Sequence, residues 1–202
     1  MALHSRARDR RVAAVALVVF VEGARAARGS GVTHAELRFF QLINRLPRRA
    51  FVPVWVVMQF GSLGGALGTG AATGAVGRRA LGARVAATGS LTWLAVKAVK
   101  PFIRRDRPAL TFDATRVLGR AQGGLGYPSG HAAVATAMAA VAAPHVPRRW
   151  RPLVWAVALV VGPARMYVGA HLPLDVLGGT ALGVAVGTSF RLAEGSAATD
   201  RG

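Results

Sequence analysis

Long apolar runs separated by short clusters of charge set the pattern of this chain. A membrane-crossing helix needs about 20 mostly apolar residues. Six stretches approach or meet that length: Val12 to Ala27, Phe51 to Val76, Leu81 to Val99, Ala132 to Ala143, Leu153 to Ala164 and Leu174 to Phe190. The second is the longest, and its glycines at 61, 64, 65, 68, 70 and 74 offer small faces for close helix contact. In the third, Arg84 and Lys97 stand near the two ends, where long side chains reach the membrane interface. The fourth and fifth are short, and Glu22 and Arg25 interrupt the first. The pattern predicts an all-α fold, a polytopic membrane helix bundle of about six transmembrane helices. Five is the alternative count. In the segment "THAELRFFQLINRLPRRA", residues 33–50, Phe39, Leu42, Ile43 and Leu46 share one face at helical spacing. It reads either as an amphipathic helix lying in the interface or as a helix packed on the bundle. Lys100 to Tyr127 is the one substantial polar loop, and no internal repeat divides residues 1–202, which read as a single domain.

Composition changes this picture little and charge changes it more. Apolar residues make up 52% of the chain and charged ones only 17%, the proportions of a membrane protein. The formal net charge of +18 admits a nucleic-acid binder, but such proteins spread Lys and Arg over a folded surface with aromatics for stacking. Here apolar runs separate the cations, so the charge points to membrane topology and an anionic substrate, with no nucleic-acid partner. The absence of cysteine excludes disulfides and thiolate metal sites. "GARAARGSG" is a poor cleavage site among charges, so the first apolar run reads as a retained helix. With six helices and the N-terminus inside, the inner segments hold Arg6, Arg8, Arg10, Arg11, Arg78, Arg79, Arg84, Arg148, Arg149, Arg151, Arg191 and Arg201. The outer segments hold about as many cations, Arg45, Arg48 and Arg49 among them, so charge alone sets no orientation.

Three polar clusters carry candidate chemistry. In "KPFIRRDRP", Lys100, Arg104, Arg105 and Arg107 crowd the end of an apolar helix with only Asp106 against them. They suit a phosphate grip, Arg as a flat fork and Lys as a point charge, or a basic patch touching anionic lipid headgroups. In "GYPSGHAAVATAMAAVAA", residues 126–143, Pro128 stops any earlier helix and Ser129 is a good N-cap for the alanine-rich run. The free N–H groups of that first turn make an anion site, Gly130 allows close approach, and His131 stands ready to protonate a leaving oxygen. The plainer reading is an ordinary cap with an incidental histidine. In "ARMYVGAHLPLD", Pro173 suits the first position of the last helix, with His171 just before it and Asp175 in its first turn. The carboxylate can then hold one imidazole nitrogen and leave the other free to attack, with Arg165 nearby. Alternatively the acid serves the helix dipole and the histidine lies in a loop. All three clusters fall at helix ends that alternation brings to one membrane face.

The pattern Lys100-x6-Arg107-Pro108, then Pro128-Ser129-Gly130-His131, then Arg165-x5-His171-x3-Asp175 closely resembles the type 2 phosphatidic acid phosphatase family, whose site is shared with vanadium-dependent haloperoxidases. The motifs span residues 100–175, and the helix layout extends the resemblance over most of the chain. The resemblance implies a membrane phosphatase that hydrolyses a lipid phosphate or polyprenyl diphosphate without metal or other cofactor, through a phosphohistidine on His171. Asp175 is then the orienting acid and His131 the proton donor, while Lys100, Arg107, Ser129, Gly130 and Arg165 bind phosphate. It also implies a multi-pass protein of the cell membrane with its site on the extracytoplasmic face, among membrane lipids. Where the family usually has Ser before the third-motif Arg, this chain has Ala164, which removes a hydrogen bond but no catalytic group. The physics agrees, because phosphoryl transfer asks mainly for positioning and charge stabilisation, and Asp106, Asp113 and Asp175 are the only acids between residues 37 and 193. A vanadate-dependent oxidation and a catalytically idle lipid-binding scaffold are the rival readings. The substrate's tail and headgroup, mono- against diphosphate preference and oligomeric state carry no readable signal.

Overall fold

The computed structural model describes residues 2–29 and 31–199, so Arg201 and the extreme ends of the 1–202 domain range lie outside it. The apolar runs fold as helices: α1 (Ala2–Gly29), α2 (His34–Asn44), α3 (Phe51–Gln59), α4 (Leu63–Ala75), α5 (Arg79–Ile103), α6 (Pro108–Thr111), α7 (Gly130–Ala142), α8 (Arg151–Tyr167) and α9 (Pro173–Thr199). There is no strand among the described residues. By length and apolarity, Pro173–Glu194 qualifies as a membrane span by itself, and Arg48–Gln59 with Leu63–Ala75 qualifies as a bent pair. The count of six spans therefore rests on the sequence pattern. The polar loop begins later than expected, because α5 runs on to Ile103 and α6 occupies part of the loop.

The run from Phe51 to Val76 is not one helix. It bends by 64° between α3 and α4. Ser62 caps α4, its Oγ accepting from the Gly65 N–H at 2.8 Å, and the chain turns within residues 60–62. Glycine is required at the bend: a Cβ on Gly61 would stand 2.3 Å from the His131 carbonyl oxygen. The predicted small faces are used at Gly61, Gly65 and Gly70, whereas Gly68 faces open space.

At the centre stands α7, whose residues from Ala132 to Val141 are all buried, as expected of a helix apolar on every side. It packs on α9 through glycines four residues apart. A Cβ at Gly179 would come within 2.3 Å of the Ser129 carbonyl oxygen, one at Gly183 within 2.1 Å of that of Ala133, and one at Gly187 within 2.6 Å of that of Ala137. Such small-residue faces let helix backbones approach where apolar solvent gives no drive to associate. Thr136 adds a contact across the pair, its hydroxyl donating at 2.8 Å to Ala132 and lying 3.2 Å from the Thr180 carbonyl. Gly183→Val is expected to destabilise the fold by about 3 kcal/mol or more, because the obstacle is backbone that cannot yield. Gly68→Ala is expected to be neutral or stabilising by up to about 1 kcal/mol. Thermal unfolding of the purified protein in detergent checks both.

The face expected over residues 33–50 is present in part: Phe39 and Leu42 of α2 and Leu46 just beyond it are exposed, whereas Ile43 turns inward onto the core. The opposite side holds it to the bundle. Phe40 packs with Met166 and Leu172, and Asn44 donates to the carbonyls of Arg116 and Tyr167 at 2.8 and 3.0 Å. A helix lying in the interface presents such an outward apolar face.

Candidate active site

Each cluster reaches the site from a helix end. Lys100, in the last turn of α5, donates from Nζ to the carbonyls of Leu125 and Gly126 at 2.5 and 3.2 Å. The chain then turns sharply at Arg104, a left-handed residue (φ 53°), which brings Arg105 and Arg107 back beneath the bundle. Arg107 donates from Nε to Gly124 O at 3.1 Å and from Nη1 to Ala170 O at 2.8 Å, and the same Nη1 lies 3.4 Å from His171 Nε2. Arg165, in the last turn of α8, is buried beside Met58 Sδ at 3.0 Å, and its Nε has no partner. None of these three cations meets a carboxylate among the described residues, so their charge is left for a ligand.

Ser129 occupies the N-cap position of α7, but its hydroxyl does not cap the helix. Thr33 and Ser62, which do cap theirs, have ψ of 155° and 162°, whereas Ser129 has ψ of 111°. Its Oγ is buried and unpartnered, and its own N–H donates to the Asp175 carbonyl at 2.8 Å. The cap expected from the sequence is therefore absent. The helix N–H groups and the hydroxyl both remain available.

His171 lies in the turn before α9, and its Nδ1 stands 3.5 Å from Asp175 Oδ2 without the alignment of a hydrogen bond. Asp175 is fully buried, its Oδ2 accepting from the Leu172 N–H at 2.9 Å. Burial first, and then the charges of Arg165, Arg107 and Lys100, hold the His171 imidazole well below its ordinary pKa. The ring is therefore neutral at pH 7. Nδ1 is the nitrogen turned to the carboxylate, and Nε2 is the one beside Arg107.

A cavity of about 380 Å³ is lined by Lys100, Arg107, Gly130, His131, Arg165 and His171, with Ser129 and Asp175 behind it. The structure thus brings all the expected site residues to one place. Gly61 and Ser62 of the α3–α4 bend and Trp93 also line it, as does Lys97, whose Nζ sits 3.9 Å from the Trp93 ring centroid. Lys97 is thus part of the cavity lining. Ala164 packs with Met58 and Tyr167, so the position of the family's usual serine belongs here to an apolar cluster. Among the described residues no three His, Asp or Glu side chains come together as metal donors.

In the surrounding network Glu36 had no reading from the sequence, and Arg105, read there with the phosphate-gripping cluster, turns instead to carboxylates. Arg105 forks onto Glu36 of α2, Nη2 to Oε2 at 2.7 Å and Nη1 to Oε1 at 3.0 Å, and also donates to Asp175 Oδ1 at 3.0 Å. Thr33 and Glu36 have the spacing of a capping box. That local spacing gives no hint of the long-range partner.

Residues 80–195, from the start of α5 into α9, match the model of the PAP2 superfamily. The chain belongs to that superfamily. Every expected site residue lies inside the matched region. Two solved structures share the fold of this PAP2 superfamily member. The crystal structure of Aquifex aeolicus LpxE aligns with a TM-score of 0.69 at 24% identity, over 77% of this chain and 93% of that one. That of the first transmembrane PAP2 type phosphatidylglycerolphosphate phosphatase from Bacillus subtilis aligns with a TM-score of 0.71 at 20% identity, over 91% and 96%. No curated protein sequence matches the chain.

Proposed function

We propose that this chain is an integral membrane phosphatase that hydrolyses a lipid phosphate through a phosphohistidine on His171. The observation that carries this reading is the cavity itself, where Lys100, Arg107 and Arg165 lack carboxylate partners and Arg165 Nε is buried without any acceptor. A doubly charged phosphate supplies what those groups lack.

In this mechanism the three cations, the Ser129 hydroxyl and the N–H groups at the start of α7 hold the nonbridging oxygens and offset charge in the transition state. Nε2 of His171 attacks phosphorus as the bond to the leaving oxygen breaks, and His131 gives that oxygen a proton, which it holds once the bound phosphate dianion offsets the cations that, with burial, keep its pKa low in the empty cavity. Asp175 stabilises the charged ring. His131, now neutral, takes a proton from the water that attacks the phosphohistidine, and phosphate leaves with His171 restored. With three cations facing one phosphate, this scheme asks for no metal.

Support for a lipid substrate comes from the setting. Exposed Val15, Leu17 and Val18 on α1, Leu91 and Leu94 on α5 and Leu110 on α6 suit contact with acyl chains, so a phosphate reaches the cavity while its tail stays in lipid. The Bacillus protein of like fold is described as a transmembrane phosphatidylglycerolphosphate phosphatase. We assign the protein to the cell membrane as a single multi-pass domain with its site facing outward.

Purified protein is expected to release phosphate from at least one of phosphatidate, phosphatidylglycerophosphate and undecaprenyl diphosphate, with the rate unchanged by EDTA. No release from any of the three overturns the reading. Loss of release on chelation overturns its metal-free form.

A further inference from the structure

Arg105 differs from the other buried cations around the cavity. Lys100, Arg107 and Arg165 donate to carbonyls or to a thioether, while Arg105 meets two carboxylates, those of Glu36 and Asp175. Its side chain is 6% exposed, that of Glu36 10% and that of Asp175 0%. Two negative charges already balance its own, so it has nothing left for a phosphate, and it does not line the cavity.

We propose that Arg105 and Glu36 are positioning residues of the reaction, Glu36 fixing Arg105 and Arg105 fixing the carboxylate that orients His171. The proposal rests on the reading of His171 as nucleophile. Both oxygens of Asp175 are occupied, Oδ1 by Arg105 and Oδ2 by the Leu172 N–H, so the carboxylate cannot turn away from the imidazole. The flat guanidinium is in turn fixed by its fork onto Glu36, a geometry that Lys cannot reproduce. Glu36 also accepts the Leu174 N–H at 3.0 Å, so the same acid anchors the first turn of α9, which carries Asp175. A chain of contacts thus runs from α2, whose other side is apolar and exposed, to the ring nitrogen opposite the attacking one.

The test compares Arg105→Gln, Arg105→Lys, Glu36→Gln and the double variant Glu36→Gln/Arg105→Gln on phosphatidate in detergent micelles, with His171→Ala alongside. Outer partners of an active group are typically worth about 10- to 100-fold. Arg105→Gln is expected to lower kcat about 100-fold, and Arg105→Lys and Glu36→Gln about 10-fold each. KM and the inhibition constant of inorganic phosphate stay within about twofold, because the phosphate grip is intact. The double variant falls no further than Arg105→Gln, because the two residues act in series. Should Arg105→Gln fail to fold, Glu36→Gln and Arg105→Lys carry the same comparison, with thermal unfolding confirming that they are folded. Unchanged kcat in those two, or a rise in KM at constant kcat, overturns the proposal while an inactive His171→Ala leaves the nucleophile in place. Full turnover by His171→Ala overturns both.

Discussion

His171→Ala abolishes phosphate release from lipid substrates, lowering kcat by about four orders of magnitude or more, the scale on which loss of a nucleophile acts. The expectation follows from the surroundings of the ring. Nε2 is the only imidazole nitrogen of His171 that faces Arg107, at 3.4 Å, while Nδ1 is turned to Asp175. Burial and three neighbouring cations keep the ring uncharged, so the attacking pair is present at pH 7. Alanine removes the pair and leaves Lys100, Arg107 and Arg165 where they are, so binding of inorganic phosphate survives. Rapid quench of the wild type with labelled substrate into alkaline SDS traps a protein-bound phosphate that is stable in base and labile in acid. The variant traps none. A variant that still turns over at more than a hundredth of the wild-type rate sinks the assignment.

His131→Ala lowers kcat for a lipid phosphate about 10³-fold, within the usual range for loss of a general acid. The size of the loss depends on what departs. A lipid alkoxide is a poor leaving group and needs the proton, whereas the nitrophenolate of p-nitrophenyl phosphate departs without it. With the aryl substrate the variant is therefore expected to form its phosphohistidine nearly as fast as the wild type. The second step still lacks a base to activate water, so a burst of nitrophenol precedes slow turnover and the phosphoprotein accumulates. Stopped-flow absorbance reads the burst. An equal loss on both substrates with no burst assigns His131 to structure, a role compatible with its carbonyl packing against Gly61.

The parts of the site legible in the sequence were those whose meaning is local. Lys100 and Arg107, Ser129 to His131, and Arg165 with His171 and Asp175 each sit within a few residues of a helix end, where capping and proline signals mark them. The apolar runs likewise marked where helices lie, because length and composition are local quantities. The bend between α3 and α4 was missed because Phe60 to Leu63 is as apolar as its flanks, and Ser62, the cap, passed as one more small residue. Capping by Ser129 was expected from residue type, yet residue type does not fix where the hydroxyl points. The Arg105–Glu36 pair was out of reach for another reason. Its members lie 69 positions apart, with Arg105 read as part of a basic cluster and Glu36 given no role.

The glycine contact between α7 and α9 bears on how the bilayer acts on this chemistry. His131 rides on α7, and Asp175 belongs to α9 and holds the turn bearing His171, so the proposed proton donor and nucleophile are tied to two rods locked backbone to backbone at Gly179, Gly183 and Gly187. A thicker or thinner membrane tilts helices that slide on side chains, but this pair tilts as one body. Bilayer thickness then acts on how readily a lipid enters the cavity and leaves the distance between donor and nucleophile unchanged.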